Sequence, residues 1–259
     1  MTGNTEELAV ANPLKAQLRD NNLQIGLWSS LCSNIVAEVL SYTDLDWVLF
    51  DAEHSPNDLP GLFSQLQAMK GSSTVPIVRP PWNDPVILKQ LLDIGFHNFI
   101  IPFVQTEEEA KQAVAAVRYP PAGIRGVAAA TRASKFGFDT NYWHNVNDLV
   151  CVFVQVETAE AVKRLDAICA VDGVDGVFIG PNDLAASIGR LMESGSKEVQ
   201  DIMAGVPEIC AKHGVTAGTL AFGPEQSKTY MDMGYTFVGL GADIGFLKKA
   251  VTDCVSEFK

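Results

Sequence analysis

The strongest constraint on the fold comes from residues 149–184, where two short apolar runs flank a stretch with helical spacing. The first run, VCVFVQVE, ends at Glu157, and the second, GVFIGPND, ends at Asp183. Apolar residues between them recur at helical spacing over residues 158–170. A strand, a helix and a second strand form a βαβ unit, so we expect both acids at the same end of one sheet. There they suit a divalent, oxygen-preferring cation such as Mg²⁺ or Mn²⁺, although each could instead cap the helix that follows it.

About eight such alternations of strand and helix follow one another along the chain, and this repeat predicts a single (β/α)8 TIM barrel. We predict an N-terminal extension with a short helix over residues 1–22 and a barrel domain over residues 23–259. An open doubly wound sheet is the alternative, but no G-x-G-x-x-G motif follows the first strand. The alternation breaks over residues 119–147, which are rich in proline and glycine and which we expect to be functional or mobile.

The charge balance narrows the classes of partner. With 31 acidic and 19 basic residues the formal net charge is −12, which argues against nucleic acid and anionic membranes as partners. The first residues show no signal-peptide pattern, and the five cysteines contain no C-x-x-C pair. We therefore expect a cytoplasmic protein with reduced cysteines.

The predicted strand ends gather polar side chains on one rim of the barrel, the rim that carries the active site in enzymes of this fold. Arg79 can bind a carboxylate or stabilise an oxyanion, and His54 can act as a base near neutral pH. Each of these side chains also has a structural alternative: the arginine can pair with a neighbouring acid, and a glutamine inside a strand can satisfy backbone groups. The residues placed on this rim are Asp51, Glu53, His54, Arg79, Gln155, Glu157, Asn182 and Asp183.

No lysine falls at a predicted strand end, because all candidates lie on helices or at their ends. A Schiff-base aldolase needs such a lysine. If the chemistry passes through an enolate, a metal ion has to stabilise it instead.

Several motifs, in one order from about Leu23 to the C-terminus, resemble the HpcH/HpaI family of metal-dependent pyruvate aldolases. They are DAEHSPND, VRPPWNDPVILKQLLDIGFHNFIIPFVQTEEEA, RYPPAGIRGV, VQVETAEAV and GVDGVFIGPNDLAASIG. The resemblance implies a (β/α)8 barrel whose last helix packs on a neighbouring subunit, usually in a hexamer. It also implies a class II aldolase that cleaves or forms 4-hydroxy-2-oxo acids, giving pyruvate and an aldehyde such as tartronate semialdehyde.

The resemblance further implies a role for each matching residue. His54 would be the proton acceptor, Arg79 would stabilise the enolate, and Asp93 would raise the basicity of the histidine, which makes sense if it reaches the site from a neighbouring subunit. Glu157 and Asp183 would bind Mg²⁺ or Mn²⁺, with Co²⁺ as a further option. The positions that contact substrate are Gln155, Asn182 and Asp183.

The chain departs from the family pattern in three places. Residue 182 is Asn where relatives often have Ser or Ala, PPW at residues 80–82 is bulky, and AAATR at residues 128–132 is less polar. The last two changes bear on the aldehyde more than on pyruvate. Two alternative functions stay open: a lyase acting on a CoA thioester of the malyl or citramalyl type, and a barrel that binds without catalysis.

Overall fold

Eight parallel strands close into a barrel in the computed structural model of the chain, which describes residues 12–259. Strand order follows the sequence, and β8 pairs with β1. The strands are β1 (Gln24–Ser29), β2 (Trp47–Asp51), β3 (Val75–Arg79), β4 (Asn98–Ile101), β5 (Cys151–Val156), β6 (Gly176–Ile179), β7 (Thr216–Leu220) and β8 (Phe237–Ala242). This closed sheet confirms the predicted (β/α)8 barrel and excludes the open doubly wound sheet.

Helices cover the outside of the barrel between successive strands. Within the described residues they are α1 (Pro13–Arg19), α2 (Asn34–Ser41), α3 (Leu59–Ala68), α4 (Pro85–Asp93), α5 (Glu107–Val117), α6 (Tyr142–Leu149), α7 (Ala159–Val162), α8 (Leu165–Cys169), α9 (Pro181–Ser187), α10 (Lys197–Lys212), α11 (Pro224–Asp232) and α12 (Asp243–Ser256). Side-chain caps begin several of them: Asp58, Asp84 and Thr106 each accept a hydrogen bond from a backbone N–H of the first turn. None of these helices is both long enough and apolar enough to span a bilayer.

The barrel interior is filled by large aromatic side chains. Trp47 stacks on Phe237 with ring centroids 4.3 Å apart, and Phe153 lies 4.5 Å from the same ring. Gly26 and Gly176 make room for this packing, because a Cβ at either position would lie within about 2 Å of the Trp47 or Phe153 ring. The interior is therefore a packed core, and the chemistry is confined to the barrel rims.

Helix α1 closes the N-terminal end of the barrel. Leu14 and Leu18 are buried in the same apolar cluster as the interior aromatic residues. The Asn12 side chain donates to Asn98 on β4 at 2.7 Å, and Lys15 pairs with Asp175 just before β6 at 3.1 Å. The predicted short helix lies at this position; residues 1–11 of the predicted extension lie outside the described residues.

Two stretches are more structured or more bent than the sequence pattern suggested. Residues 158–170 form two short helices, α7 and α8, with a bend at Arg164 in place of one continuous helix. Residues 119–147, where the alternation of strand and helix breaks, contain a 3-10 helix (Arg132–Gly137) and most of α6.

Asp243 is the first residue of α12. Its carboxylate accepts from the backbone N–H of Ser30 and Leu31 and so ties α12 to the end of β1.

Candidate active site

Asp51 and Arg79 form the centre of the C-terminal rim. They are the last residues of β2 and β3 and are register partners, so their side chains leave the sheet side by side. Both are almost fully buried, and Asp51 accepts from Arg79 Nε at 2.9 Å and from Nη2 at 2.8 Å. This bidentate pair fixes the plane of the guanidinium. Arg79 also lies 5.7 Å from the Trp28 ring of β1.

Asp51 also shapes the turn that follows β2. Its Oδ1 atom accepts from the backbone N–H of Glu53 at 3.0 Å and of His54 at 3.4 Å. Burial alone would raise the pKa of Asp51, but the hydrogen bonds and charge of Arg79, together with these two amides, hold its pKa below the usual value. Asp51 is therefore an anion at neutral pH.

The same turn directs Glu53 back towards Arg79 and leaves His54 at the mouth. Glu53 Oε2 lies 3.1 Å from Arg79 Nη1 and 3.8 Å from His54 Nε2. The Glu53 side chain is mostly buried, whereas 67% of the His54 side chain is exposed. Burial is the main cause that raises the pKa of Glu53, with Arg79 and His54 acting in the opposite direction.

Glu157 and Asp183 meet on the opposite side of the mouth, beside Gly180. A Cβ placed on Gly180 would lie 3.4 Å from Glu157 Cγ, 3.5 Å from Asp183 Oδ2 and 3.6 Å from Gln155 Nε2. Gln155 donates a short hydrogen bond to Glu157, and its own buried Oε1 has no hydrogen-bond partner in the described part of the chain. Glu157 and Gln155 are buried, whereas Asp183 is exposed and Asn182 is half-buried.

The electrostatic surroundings of Glu157 are unfavourable for an anion. Burial, followed by the neighbouring carboxylates of Asp183 and Glu53, raises its pKa to about 7. The bond from Gln155 and the charge of Arg79 compensate only in part. A buried carboxylate beside a second, solvent-facing one is the donor chemistry that Mg²⁺ and Mn²⁺ prefer, with open positions left for other ligands. The two residues therefore fit a divalent cation.

The described residues contain no cluster of three or more His, Cys, Asp and Glu side chains arranged as a metal site. A two-carboxylate site with the remaining positions open is compatible with this finding, since a catalytic site keeps positions for substrate and water. A closed structural metal site is not present in residues 12–259.

The structure does not bring Asp93 to this mouth. Asp93 is the last residue of α4, which runs back from the C-terminal rim, so it lies towards the other end of the barrel from His54. There its carboxylate pairs with Arg125 Nη2 at 2.8 Å. The Arg125 side chain is fully buried between the rings of Tyr119 and Tyr142 and lies away from the mouth. Within one chain, Asp93 therefore has no contact with the other predicted catalytic groups.

An exposed aromatic pair stands on the loops that leave β3 and β4. The rings of Trp82 and Phe103 stack with centroids 5.5 Å apart, and both are about half exposed. Phe103 has φ +55°, a left-handed conformation that is unfavourable for an aromatic residue. The bulky PPW segment thus contributes an apolar surface three residues after Arg79.

Sequence reasoning placed Asp51 and Glu53 on the rim but assigned neither a role. The structure makes Asp51 the anchor of Arg79 and places Glu53 between Arg79 and His54. The D-x-E-H motif at the end of an apolar run was the available signal, because side chains at the C-terminal end of a barrel strand lie on the active-site rim. Trp28 was missed because an apolar residue within a strand carries no such signal.

Comparisons with known proteins agree with this geometry. The family profile described as HpcH/HpaI aldolase/citrate lyase matches residues 24–250. The 5-keto-4-deoxy-D-glucarate aldolase of Escherichia coli O6:H1 is 45% identical over 248 residues, covering 96% of this chain and 97% of that protein.

Two solved structures extend the likeness to the fold. A HpcH/HpaI aldolase/citrate lyase family protein from Burkholderia cenocepacia J2315 is 37% identical with a TM-score of 0.93, covering 96% of this chain and 99% of the other. The HpcH/HpaI aldolase of Desulfitobacterium hafniense DCB-2 is 25% identical with a TM-score of 0.87, covering 95% and 96% of the two chains.

Proposed function

Because the chain belongs to the HpcH/HpaI aldolase/citrate lyase family, we propose that it is a class II aldolase of 4-hydroxy-2-oxo acids. The products of cleavage are pyruvate and an aldehyde, and the reverse reaction adds pyruvate to an aldehyde. The observation that carries this proposal is the convergence of Arg79, Glu157 and Asp183 on one barrel mouth. The enzyme is thus a carbon–carbon lyase.

The metal ligands in this proposal are Glu157 and Asp183. The family is divalent-metal-dependent, and Mg²⁺ or Mn²⁺ suits two carboxylates best, with Co²⁺ as a further option. When bound, the cation supplies Lewis-acid polarisation of the 2-oxo group. The raised pKa of Glu157 supports this assignment, because a nearby cation offsets both its burial and the repulsion from its neighbours.

The protein groups perform the proton transfers and hold the developing charge. His54, exposed at the mouth, takes the proton of the 4-hydroxyl; the C3–C4 electron pair then moves into the enolate of pyruvate as the aldehyde forms. Arg79 donates to the enolate oxygen with N–H groups that its pairing with Asp51 leaves free. Return of a proton to C3 gives pyruvate. Gln155 and Asn182 are the polar side chains that position the substrate, and the unpaired Oε1 of Gln155 is an acceptor for it.

The substrate we propose is 5-keto-4-deoxy-D-glucarate or its diastereomer 2-dehydro-3-deoxyglucarate, which has the same carbon skeleton and functional groups. The identity of 45% over nearly the full length to an aldolase named for this sugar acid supports the choice. Its cleavage would give pyruvate and tartronate semialdehyde. The cytoplasmic location stays a prediction from the sequence.

We also propose that the active enzyme is a homo-oligomer, a hexamer by resemblance. Helix α12 supports this, because within it only Asp243 is buried while its apolar side chains lie exposed. These side chains are Ile244, Phe246, Leu247, Val251 and Val255. Exchange of this helix with a neighbouring subunit would cover them. The same assembly would allow Asp93 of one subunit to reach the mouth of another.

A coupled assay tests the proposed function. Pyruvate release from 2-dehydro-3-deoxyglucarate is followed with EDTA and then with added Mg²⁺ or Mn²⁺, with malyl-CoA and citramalyl-CoA as competing substrates. Metal-dependent release from the sugar acid is the expected result. Release that ignores EDTA would remove the metal role of Glu157 and Asp183. Cleavage of the CoA esters alone would make the chain a thioester lyase, and no turnover with no cation binding would make it a non-catalytic barrel.

A further inference from the structure

We propose that Glu53 is the carboxylate partner of His54: it orients the imidazole ring and balances the positive charge that the ring gains when it accepts a proton. This positioning role rests on the proposed aldolase function. The resemblance gives a similar role to Asp93, but Asp93 lies away from the mouth in the single chain and is paired with Arg125, whereas Glu53 belongs to the same chain as His54.

The Oε2 atom of Glu53 lacks a hydrogen-bond donor among the described residues. Glu53 Oε2 is buried and accepts no hydrogen bond from the described residues, although it lies 3.1 Å from Arg79 Nη1 and 3.8 Å from His54 Nε2. The Arg79 contact is therefore an ion pair without hydrogen-bond geometry. A buried carboxylate oxygen without a donor is costly, so Oε2 is an acceptor that awaits a partner.

The two basic side chains near Glu53 Oε2, Arg79 and His54, differ in their freedom to move. Arg79 cannot turn to satisfy Oε2, because its Nε and Nη2 atoms are fixed by Asp51 at 2.9 and 2.8 Å. His54 can, because 67% of its side chain is exposed and a shift of under 1 Å brings Nε2 within hydrogen-bond distance of Oε2. His54 is thus the side chain that completes the site.

Hydrogen bonds to the backbone of the turn hold Glu53 in place independently of the His54 side chain. Asp51 Oδ1 holds the Glu53 N–H at 3.0 Å, and Asn57 Nδ2 donates to the Asp51 carbonyl at 2.6 Å. Gln65 in turn donates to Asn57 at 2.7 Å. Glu53 therefore remains in place when the histidine is removed, and its effect on His54 can be measured separately.

A double-mutant cycle on the full chain with Mg²⁺ tests the inference, using the wild type, Glu53→Gln, His54→Ala and the double variant. We expect Glu53→Gln to lower kcat by about 10- to 100-fold, because a neutral amide cannot balance the ring charge. The KM should change by less than about threefold, because Arg79 keeps its bidentate partner. In the His54→Ala background, Glu53→Gln should lower kcat by less than about threefold, because Glu53 acts through the imidazole ring.

Controls separate this role from general damage to the site. Glu208→Gln removes an exposed carboxylate on α10 and should behave as the wild type. The thermal stabilisation of Glu53→Gln by Mg²⁺ should match the wild type, since Glu157 and Asp183 are unchanged. If Glu53→Gln does not fold, Glu53→Asp replaces it in the cycle, because it keeps the charge but shortens the reach and should lose activity in the same way.

Three outcomes would decide against the inference. Near-normal kcat for Glu53→Gln would remove the role, and an equal loss with and without His54 would show that Glu53 acts through Arg79 instead. Both leave the proposed aldolase intact. A wild-type enzyme that neither releases pyruvate nor exchanges its methyl protons would overturn the aldolase proposal and this inference with it.

Discussion

Replacing Glu157 by Gln should stabilise the metal-free protein at alkaline pH and leave its stability unchanged at acid pH. The reason is the cost of ionising this buried carboxyl group. Its pKa in the folded chain is about 7 against an ordinary value of 4.5, because of burial first and then the charges of Asp183 and Glu53. Between pH 4.5 and pH 7, Glu157 is therefore protonated in the folded state but ionised in the unfolded state.

The sign of the effect follows from the proton balance. The folded state binds more protons from about pH 4.5 to about pH 7, so the free energy of unfolding falls as the pH rises through this window. Above pH 7 the ionisation of Glu157 lowers the free energy of unfolding by its full amount, which is at most about 3 kcal/mol for this difference in pKa. For a chain of this size that corresponds to a change in Tm of about 6 °C.

The assay compares the Tm of wild type and Glu157→Gln in EDTA at pH 5 and pH 8, at equal protein concentration because assembly shifts Tm. Glu208→Gln is the matched control, since Glu208 is exposed and paired with Lys212 at the surface. The variant should exceed the wild type by several degrees at pH 8 and match it at pH 5. The control should follow the wild type at both values.

Adding Mg²⁺ should give the wild type a higher Tm than Glu157→Gln at pH 8. The cation should raise the Tm of the wild type more at pH 8 than at pH 5, because protons compete with it for Glu157. It should have little effect on the variant. A Glu157→Gln protein that is destabilised equally at both pH values would refute the reasoning, because the ionised carboxylate would then have favourable partners that the structure does not show.

Three further predictions concern the groups around the mouth and behind it. Arg79→Lys should abolish pyruvate release in the coupled assay, because an ammonium group cannot replace the bidentate bond to Asp51; retained release would make Arg79 structural. Trp82→Thr should change the preferred aldehyde while pyruvate methyl-proton exchange continues, and loss of exchange would show that Trp82 supports the pyruvate half. Arg125→Met should lower the free energy of unfolding by about 3 kcal/mol in urea titrations, because it leaves the Asp93 carboxylate without its partner; an unchanged value would show that solvent satisfies Asp93.

The sequence predicted the barrel well because its signals are local and repeated. Short β-rich runs alternate with helices whose starts carry their own caps, such as Asp84 before Pro85 and Thr106 with Glu109. The bend at Arg164 had no such signal. Ala161 on α7 and Leu165 on α8 are both fully buried, so packing against the barrel sets the bend without a helix-breaking residue.

Only those site residues that lie at or just after a strand end could be predicted from the sequence pattern. Arg79 ends β3, Glu157 follows β5 directly, and Asp183 lies in the first turn of α9 after β6, so the topology of a parallel barrel brings them to one rim. The partnership of Glu53 with two neighbours depends on the turn that Asp51 builds with its side chain, and no periodicity describes such a turn. The pattern of one chain cannot bring Asp93 to the site either, because the predicted role of Asp93 depends on a second subunit.

The charges of the mouth reconcile an acidic protein with an acidic substrate. Asp51, Glu53 and Glu157 act on the Arg79 guanidinium, Asp183 lies beside Glu157, and Asp51 already occupies two donor positions of Arg79. By itself this arrangement repels the carboxylate of a 2-oxo acid, and the overall charge of −12 adds to the repulsion. A divalent cation between Glu157 and Asp183 would neutralise most of the excess negative charge at the mouth. Pyruvate should therefore bind far more weakly in EDTA than with Mg²⁺, and equal binding under both conditions would mean that Arg79 alone recognises the carboxylate.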